Sequence, residues 1–283
     1  MNNNTKLMSK KNLAGNLKEG VNKGLKKIAS NPYKKTGLSF LDVKMLKHLP
    51  AGKLHRRKFL DGEILFYDPF EFLYAAKEIF VDEIYKQNLQ SPKYILDCGA
   101  HIGLSVIYLK KQFHDTEIVA FEPDEKNFDL LQKNLALQKI TGVNLQKKAV
   151  WVNNEDLKFS AGNSMSSKIS EEVADQTVTV KACRLKDFLT REVDFLKLDI
   201  EGAEFKVLED IREELHFIKN LFIEYHGFFN NQDELVKILS WVEQSGFSFY
   251  IQEAAKIFKK PFVKEERETK DFDIQLNIYC SRK

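Results

Sequence analysis

The stretch "YILDCGAHIGLSVIYL" (residues 94–109) constrains the fold more than any other part of the chain. An apolar run stops at Asp97, a turn follows through Gly99 and Gly103, and apolar residues then recur at helical spacing. Glycines let the backbone approach a ligand closely, and the following helix directs its positive N-terminus at the same point. The stretch therefore predicts a binding loop at the carboxyl end of the first strand of an α/β sheet.

The sequence after Tyr94 alternates between short β-rich runs and longer helical patterns. The predicted strands are "YILD", "EIVAFEP", "VNLQKKAVW", "DFLKLDI" and "NLFIEYH", and the predicted helices are "LSVIYLKKQF", "EKNFDLLQKNLALQ" and "AEFKVLEDIREEL". This alternation favours an α/β fold with a mostly parallel sheet covered by helices on both faces. The last two predicted strands, "FSFYIQEA" and "DIQLNIYCS", have no helix between them and predict an antiparallel C-terminal strand.

Additions to this repeat are predicted at two places. "KLHRRKFLDGEILFYD" (53–68) predicts a hairpin in which Asp61-Gly62 supplies the positive φ of the turn, and residues 69–85 predict a helix. Residues 155–183 predict an inserted hairpin with a serine-rich tip. We expect three parts: a basic arm (1–52), a hairpin and helix cap (53–92) and the main domain (93–283).

Charge is distributed unevenly along the chain. Residues 1–58 hold 15 Lys or Arg and 2 acids, a net of 15 − 2 = +13, and the remaining 225 residues hold 29 and 39, a net of 29 − 39 = −10. A nucleic-acid-binding domain needs a basic working face, so the acidic main domain predicts no nucleic-acid partner. The arm, with apolar residues at helical spacing between its lysines, predicts either a solvated segment or a helix that contacts a membrane surface or a partner.

Cysteine usage and hydropathy predict a cytoplasmic protein. Cys98, Cys183 and Cys280 are isolated and odd in number, which suits a reducing compartment and not a disulfide framework or zinc site. No run approaches the roughly eighteen apolar residues of a transmembrane helix, and the N-terminus lacks a secretory pattern. Any contact with the inner face of the membrane is expected through the basic arm.

The glycine spacing distinguishes between cofactors. "GAHIG" has His101 where the dinucleotide fingerprint G-x-G-x-x-G has the middle glycine that makes room for a pyrophosphate. Glu122 ends the second predicted strand, where an acid can accept hydrogen bonds from both ribose hydroxyls. Acids at both strand ends suit the cationic amino and sulfonium groups of S-adenosylmethionine better than NAD. The alternative is a non-binding glycine turn beside a surface glutamate.

Taken together, the motifs resemble those of FkbM-family methyltransferases. "ILDCGAHIG", "VAFEPDEKNFDLLQKN", "KKAV", "DFLKLDIEGAE" and "FIEYH" occur in that family's order and spacing, from about Phe59 to His226. The resemblance implies a class I methyltransferase fold, Rossmann-like with a seven-stranded sheet, and S-adenosylmethionine as cofactor. It also implies methylation of a hydroxyl on sugars of surface polysaccharides or lipids, or on natural-product scaffolds. His101 departs from the family, which commonly has Asn at this position.

The resemblance also implies a set of cofactor-binding residues. In order, they are Asp97, Gly99, Ala100, His101, Gly103, Glu122, Pro123, Ala149 and Val150. Asp97, Gly99 and Gly103 would line the methionine end, Glu122 would hold the ribose, and the Ala149-Val150 turn would flank the adenine. The inserted loop either closes over the site or forms a solvated tip through Ser164, Met165 and Ser166.

Ionisable residues near the ends of two predicted strands are the candidate catalytic groups. The strand period of two places Lys197 with Asp199 on one face and Glu224 with His226 on the next strand. His226 is the predicted base because an unshifted imidazole is mostly neutral near pH 7, and Glu224 could hold its tautomer only if the two side chains meet. Asp199 is the alternative base and Glu201 a further candidate. A buried ion-pair network that only orients the strand ends is the alternative for Lys197 and Glu224.

These observations predict an S-adenosylmethionine-dependent O-methyltransferase acting on a hydroxyl of a small molecule or glycan. A metal ion could lie among Asp199, Glu201 and His226, but the spacing does not require one, and none is predicted. A catalytically silent protein that uses its arm to dock a partner or membrane is the second hypothesis, although the intact acids argue against it. An NAD-dependent oxidoreductase is the third, disfavoured by the missing middle glycine.

Overall fold

The computed structural model describes residues 31–160, 177–258, 260, 262 and 272–282. The predicted arm helix within residues 1–30 and the predicted tip with Ser164, Met165 and Ser166 lie outside the described residues. The chain divides into two compact units, Met1–Ile84 and Tyr85–Lys283. The three-part division at residues 52 and 92 stays a prediction.

The described part of the first unit, from residue 31, forms two short helices and a hairpin around an aromatic core. Phe66 and Phe72 stack with ring centroids 4.3 Å apart, and Phe59 meets Phe72 edge-on at 5.4 Å. The elements are a 3₁₀ turn (Pro32–Thr36), α1 (Phe40–Leu46), β1 (His55–Phe59), β2 (Gly62–Phe66), α2 (Pro69–Ala76) and a π-helical turn (Lys77–Val81).

The predicted hairpin forms, but its turn differs from the prediction. Phe59 pairs with Gly62, so Leu60 and Asp61 make a two-residue loop. The positive φ lies at Leu60 (52°), and Gly62 is the first residue of β2. The prediction that Asp61-Gly62 supplies the positive φ is wrong, because the strand register places the glycine in the ladder.

The second unit is built on a seven-stranded sheet. The elements of this unit are, in order, β3 (Tyr94–Cys98), α3 (Leu104–Gln112), β4 (Glu117–Phe121), α4 (Glu125–Leu137), β5 (Val143–Gln146), β6 (Ala149–Trp151), β7 (Leu157–Ser160), β8 (Thr177–Val180), β9 (Ala182–Arg184), a 3₁₀ turn (Leu185–Phe188), β10 (Val193–Leu198), α5 (Glu204–Asp210), a 3₁₀ turn (Glu214–Phe217), β11 (Ile218–Gly227), a 3₁₀ turn (Phe229–Asn231), α6 (Gln232–Gln244), β12 (Phe247–Glu253) and β13 (Ile274–Arg282).

The strand order across the large sheet is β12-β13-β11-β10-β3-β4-β5. The pairs β10–β11, β10–β3, β3–β4 and β4–β5 are parallel, whereas β13 is antiparallel to both of its neighbours. Every residue of β3 and β10 is buried, so both faces of these central strands are covered. This confirms the predicted α/β class I methyltransferase architecture with an antiparallel C-terminal strand.

Strand order reverses between β3 and β10, because the chain runs outward from β3 through β4 to β5 and returns to β10 on the other side. In open α/β sheets the loops at the carboxyl ends of such strands form the ligand crevice. The two loops at this point are residues 99–103, after β3, and residues 199–203, after β10.

One predicted strand is divided in the structure, and one helix was not predicted. The run "VNLQKKAVW" is not one strand, because the chain leaves the large sheet after β5 and β6 pairs in parallel with β9. The pairing of β7 with β8 confirms an inserted hairpin.

Helix α6 was not predicted, yet Ile238 and Val242 on its inner face are buried in the main core. No helix of the described residues is long and apolar enough to cross a membrane.

We expect Gly99→Ala to destabilise the protein far more than Gly246→Ala. Both glycines have a positive φ (+90° and +83°), so both substitutions carry a backbone cost of about 1 kcal/mol. A Cβ at Gly99 would lie 1.8 Å from the carbonyl oxygen of Asp199, whereas the atom nearest to a Cβ at Gly246 is a side-chain nitrogen 3.6 Å away. The extra overlap should add roughly 1–3 kcal/mol or more, measured by urea unfolding. Equal losses in the two variants would contradict the close approach of the strand ends.

Candidate functional site

Asp97 is the second-to-last residue of β3, and its side chain points into the protein. Its side chain is fully buried. Oδ2 accepts a hydrogen bond from the Ser105 hydroxyl at 2.5 Å, which fixes the first turn of α3. Oδ1 lies 3.3 Å from Nζ of Lys197 and makes no hydrogen bond within the described structure. The acid therefore links the predicted cofactor turn to β10.

The space where a Cβ would lie on either glycine of the turn is occupied by other atoms of the protein. A Cβ at Gly103 would lie 2.7 Å from Cδ1 of Leu131 in α4, as one at Gly99 would overlap the end of β10. A hydrogen bond from the N–H of Gly103 to the carbonyl of Ala100 (2.8 Å) closes the turn between them. Close approach to a ligand was the predicted reason for these glycines, but the observed close contacts are with β10 and α4.

Glu122 follows β4 directly and organises the turn. Oε2 accepts the backbone N–H of His101 at 2.8 Å, and Oε1 accepts the backbone N–H of Asp124 at 2.9 Å. Burial raises the pKa of Glu122 to about 7, although both N–H bonds act in the opposite direction. Each carboxylate oxygen has a second lone pair, so Glu122 can still accept bonds from ribose hydroxyls.

Other residues of the predicted cofactor set lie at or near this turn. His101 has a positive φ (48°), and burial lowers the pKa of its imidazole to about 4, so the ring is neutral. Ala100 is buried, and Pro123 is half-buried after Glu122. Ala149 and Val150 are buried in β6, and their contact with an adenine stays a prediction.

The polar groups of the turn fit S-adenosylmethionine better than a dinucleotide. Residues 97–103 contain no Lys or Arg, and His101 is neutral, so the turn offers no cation to a pyrophosphate. Glu122, which hydrogen-bonds to the turn, adds a carboxylate, and this hydrogen-bond acceptor suits ribose hydroxyls.

Lys197 joins the ends of β3 and β10. Its Nζ lies 3.3 Å from Oδ1 of Asp97 and 3.1 Å from Oδ2 of Asp199, and it donates a 2.7 Å hydrogen bond to the carbonyl of Gly99. Burial alone would lower the pKa of Lys197, but the carboxylates of Asp199 and Asp97 raise it well above its usual value. The lysine is thus a buried cation held between two acids.

Glu204, the first residue of α5, was missed by the sequence analysis. Its buried carboxylate accepts the backbone N–H groups of Ile200 and Gly202 at 3.1 Å, which fixes the loop after β10. Its Oε1 also lies 3.2 Å from Nδ1 of His226. The available signal was its place in "EGAE", since an acid in the first turn after a glycine caps a helix start.

His226 is buried at the end of β11 and surrounded by carboxylates. Its Nε2 lies 3.7 Å from an oxygen of Glu201 and 3.7 Å from an oxygen of Glu224. Burial alone would lower the pKa of His226, but Glu204, with help from Glu201, raises it to about 10. The ring therefore carries a proton at neutral pH.

The premise that made His226 the first choice of base is therefore wrong. The imidazole is not unshifted, because Glu204 holds its proton, so it is not a ready base. Glu204, at Nδ1, and not Glu224 fixes the orientation of the ring. The predicted convergence of Lys197, Asp199, Glu224 and His226 does occur, since β10 and β11 are parallel neighbours.

The rim of this cluster is acidic and partly open. The side chains of Asp199 and Glu224 are each 23% exposed, and that of Glu201 is 38% exposed. Burial raises the pKa of Glu201. Asp199, Glu224 and His226 each offer one ligand atom within 4.8 Å of the others, so this group could hold a metal ion. Metal binding would require His226 to release its proton.

The fold and this crevice define a class I methyltransferase, and comparison with known proteins gives its family. The model of the Methyltransferase FkbM domain matches residues 97–249, more than half of the 283-residue chain. The chain belongs to the FkbM methyltransferase family, for which S-adenosylmethionine is the expected cofactor.

Two curated relatives agree with this assignment. Methyltransferase sdnD of Sordaria araneosa is 32% identical over 195 residues, which cover 54% of this chain and 74% of the relative. Methyltransferase 1 of Beauveria bassiana is 28% identical over 214 residues, covering 64% of this chain and 83% of the relative.

Solved structures with a similar fold are more distant. The FkbM methyltransferase of Methylobacillus flagellatus has a TM-score of 0.47 at 17% identity, and the match covers 73% of this chain and 48% of that one. The chain thus spans about half the length of this structure. M. jannaschii TYW2, solved in complex with AdoMet, has a TM-score of 0.47 at 13% identity, with coverage of 83% and 89%.

We expect Glu122→Ala to weaken cofactor binding. Above the raised pKa of about 7, the charged hydrogen bonds of this carboxylate contribute roughly 1.5–3 kcal/mol, so affinity for S-adenosylhomocysteine should fall by about 10- to 100-fold in calorimetric titration at that pH. Glu117→Ala, at the opposite end of β4, is the matched control and should change affinity little. Near-normal affinity of the Glu122 variant would remove this acid from the cofactor site.

Stability is expected to fall as pH rises from 6.5 toward 10, because of His226. The pKa of His226 is raised from 6.5 in the unfolded chain to about 10 in the fold, so its stabilising contribution is complete below pH 6.5 and is lost on the way to pH 10. Each pKa unit corresponds to about 1.4 kcal/mol, so the loss should reach several kcal/mol.

Urea unfolding across this pH interval measures the effect. His226→Gln should be less stable at pH 6.5 and should show a much flatter decline toward pH 10. His216→Gln, at an exposed position, should keep the wild-type slope. An unchanged slope in His226→Gln would show that His226 is not the group that holds the proton.

Proposed function

We propose that this enzyme methylates a hydroxyl group of a small molecule or glycan, using S-adenosylmethionine as methyl donor. The observation that carries the proposal is the position of Asp199. Its backbone lies against Gly99 of the cofactor turn, with its N–H donating to the carbonyl of Cys98 at 3.1 Å. Its carboxylate is partly exposed on the same side. An acid this close to the turn proposed to hold the methyl donor suits the handling of an acceptor proton.

When bound, S-adenosylmethionine supplies a methyl group on a cationic sulfur. Glu122 would hold its ribose, and the turn from Asp97 to Gly103 would hold its methionine end. Positioning of the acceptor beside the donor can supply much of the acceleration.

Asp199 is proposed to orient the acceptor hydroxyl and to take its proton. Lys197 would hold one oxygen of this carboxylate, Oδ2, in place at 3.1 Å, which leaves the rest of the group facing the crevice. Asp199 was the second choice of base from the sequence, and it replaces His226 because His226 already carries a proton.

His226 is proposed to position the acidic rim. As a buried cation bound to Glu204, it attracts Glu201 and Glu224, each 3.7 Å from Nε2. These two carboxylates are partly exposed, and we propose that they bind further hydroxyls of the methyl acceptor. A methyl acceptor with many hydroxyls, such as a sugar, would donate hydrogen bonds to several carboxylates of this kind.

The test is methyl transfer from isotopically labelled S-adenosylmethionine to a panel of hydroxyl-bearing and amine-bearing acceptors. Formation of S-adenosylhomocysteine measures turnover, and NMR of the product locates the methyl group on oxygen or nitrogen. Transfer to nitrogen alone would overturn O-methylation and leave the methyltransferase assignment intact.

Asp199→Asn is expected to lower turnover by about 10²- to 10⁴-fold, the usual contribution of a general base. Its affinity for S-adenosylhomocysteine should stay close to wild type, because the cofactor turn is unchanged. Glu243→Gln, on the exposed side of α6, is the matched control and should turn over normally. Wild-type turnover in Asp199→Asn would assign the proton to another group.

A further inference from the structure

The first unit changes its charge sharply along the chain. Residues 31–58 contain eight Lys or Arg and one acid, whereas residues 59–84 contain one Lys and seven acids. α1 and β1 belong to the basic half, and β2 and α2 belong to the acidic half.

α1 exposes an apolar pair in the basic half. Leu41 and Met45, one helical turn apart on the same face, are 65% and 52% exposed, whereas Leu46 is fully buried. Lys44, three residues after Leu41, is exposed beside this pair, and Lys47 is exposed at the residue that caps the end of the helix. We name these four residues, Leu41, Lys44, Met45 and Lys47, the α1 face.

The one acid of this half is already engaged. Asp42 accepts the backbone N–H of Ser39 at 2.8 Å, and Ser39 Oγ accepts the N–H of Asp42 in return. Hydrogen bonds with Ser39, aided by the charge of Arg57, lower the pKa of Asp42. Asp42 therefore stays ionised at neutral pH, and the positive charge at α1 is that of its lysines reduced by this one acid.

α2 offers an internal comparison with the opposite charge. Phe70 and Tyr74, also one turn apart, are 60% and 53% exposed, which closely matches the pair on α1. Their neighbours include Asp68, which caps the helix, and Glu71 in its first turn. An anionic surface would attract the lysines near the pair on α1 and repel the acids near the pair on α2.

We propose that the α1 face docks this enzyme on an anionic membrane surface. Leu41 and Met45 enter the interface between headgroups and acyl chains, and Lys44 and Lys47 contact the acidic headgroups. Two apolar side chains and two lysines give weak, reversible attachment and not insertion. This adds a membrane partner to a catalytic unit whose own sequence, residues 85–283, has a net charge of 28 − 32 = −4, and it does not depend on the acceptor.

The experiment is co-sedimentation of the full chain with lipid vesicles. Vesicles containing phosphatidylglycerol should pellet the protein, and phosphatidylcholine vesicles should not. Pelleting should fall with added salt, because the screening length shrinks from about 10 Å at 0.1 M to about 3 Å at 1 M ionic strength. Equal pelleting by the two kinds of vesicle, or none, would overturn the proposal.

Three double variants locate the contact. Leu41→Ser with Met45→Ser should lower partitioning several-fold, and Lys44→Glu with Lys47→Glu should lower it by at least about fivefold per lysine. Phe70→Ser with Tyr74→Ser, the matched control, should pellet like the wild type. Wild-type pelleting of both α1 variants would overturn the α1 face as the docking surface, and methyl transfer to a soluble acceptor should be unchanged in all three.

Discussion

The crevice depends on one buried cation. Lys197 has no access to water, and it stays charged only because Asp97 and Asp199 lie on either side of it. Removal of the lysine would leave the buried carboxylate of Asp97 without a cation, which costs several kcal/mol in comparable sites. The lysine therefore sets the distance between the end of β3, where the donor is proposed to bind, and the end of β10, where the acceptor is proposed to bind.

A second, similar arrangement lies one strand further on. Glu204 holds the loop after β10 with its backbone contacts and holds His226 at the end of β11 with the same carboxylate. Both arrangements place a cation in the interior and leave carboxylates at the surface. The crevice consequently faces solvent with a negative rim, which complements a cationic methyl donor.

Periodicity and motif spacing were sufficient to predict the class of fold, because apolar alternation directly reflects which strand faces are covered. They also placed Lys197, Asp199, Glu224 and His226 together, since parallel neighbouring strands end at the same edge. The protonation state of His226 could not be predicted from the sequence, because it depends on Glu204. That residue comes close to His226 only through the turn at Gly202. The division of "VNLQKKAVW" into β5 and β6 was equally hidden, since both halves are β-rich and only pairing with β9 separates them.

The position of β13 affects the order in which the sheet can be completed. It lies between β11 and β12, although it follows both in the chain. During synthesis β12 therefore emerges from the ribosome with no strand beside it, and it stays an unpaired edge until residues 274–282 have been made. The strands from β5 through β3 and β10 to β11 can pair as translation proceeds, but β12 joins the sheet only when β13 arrives.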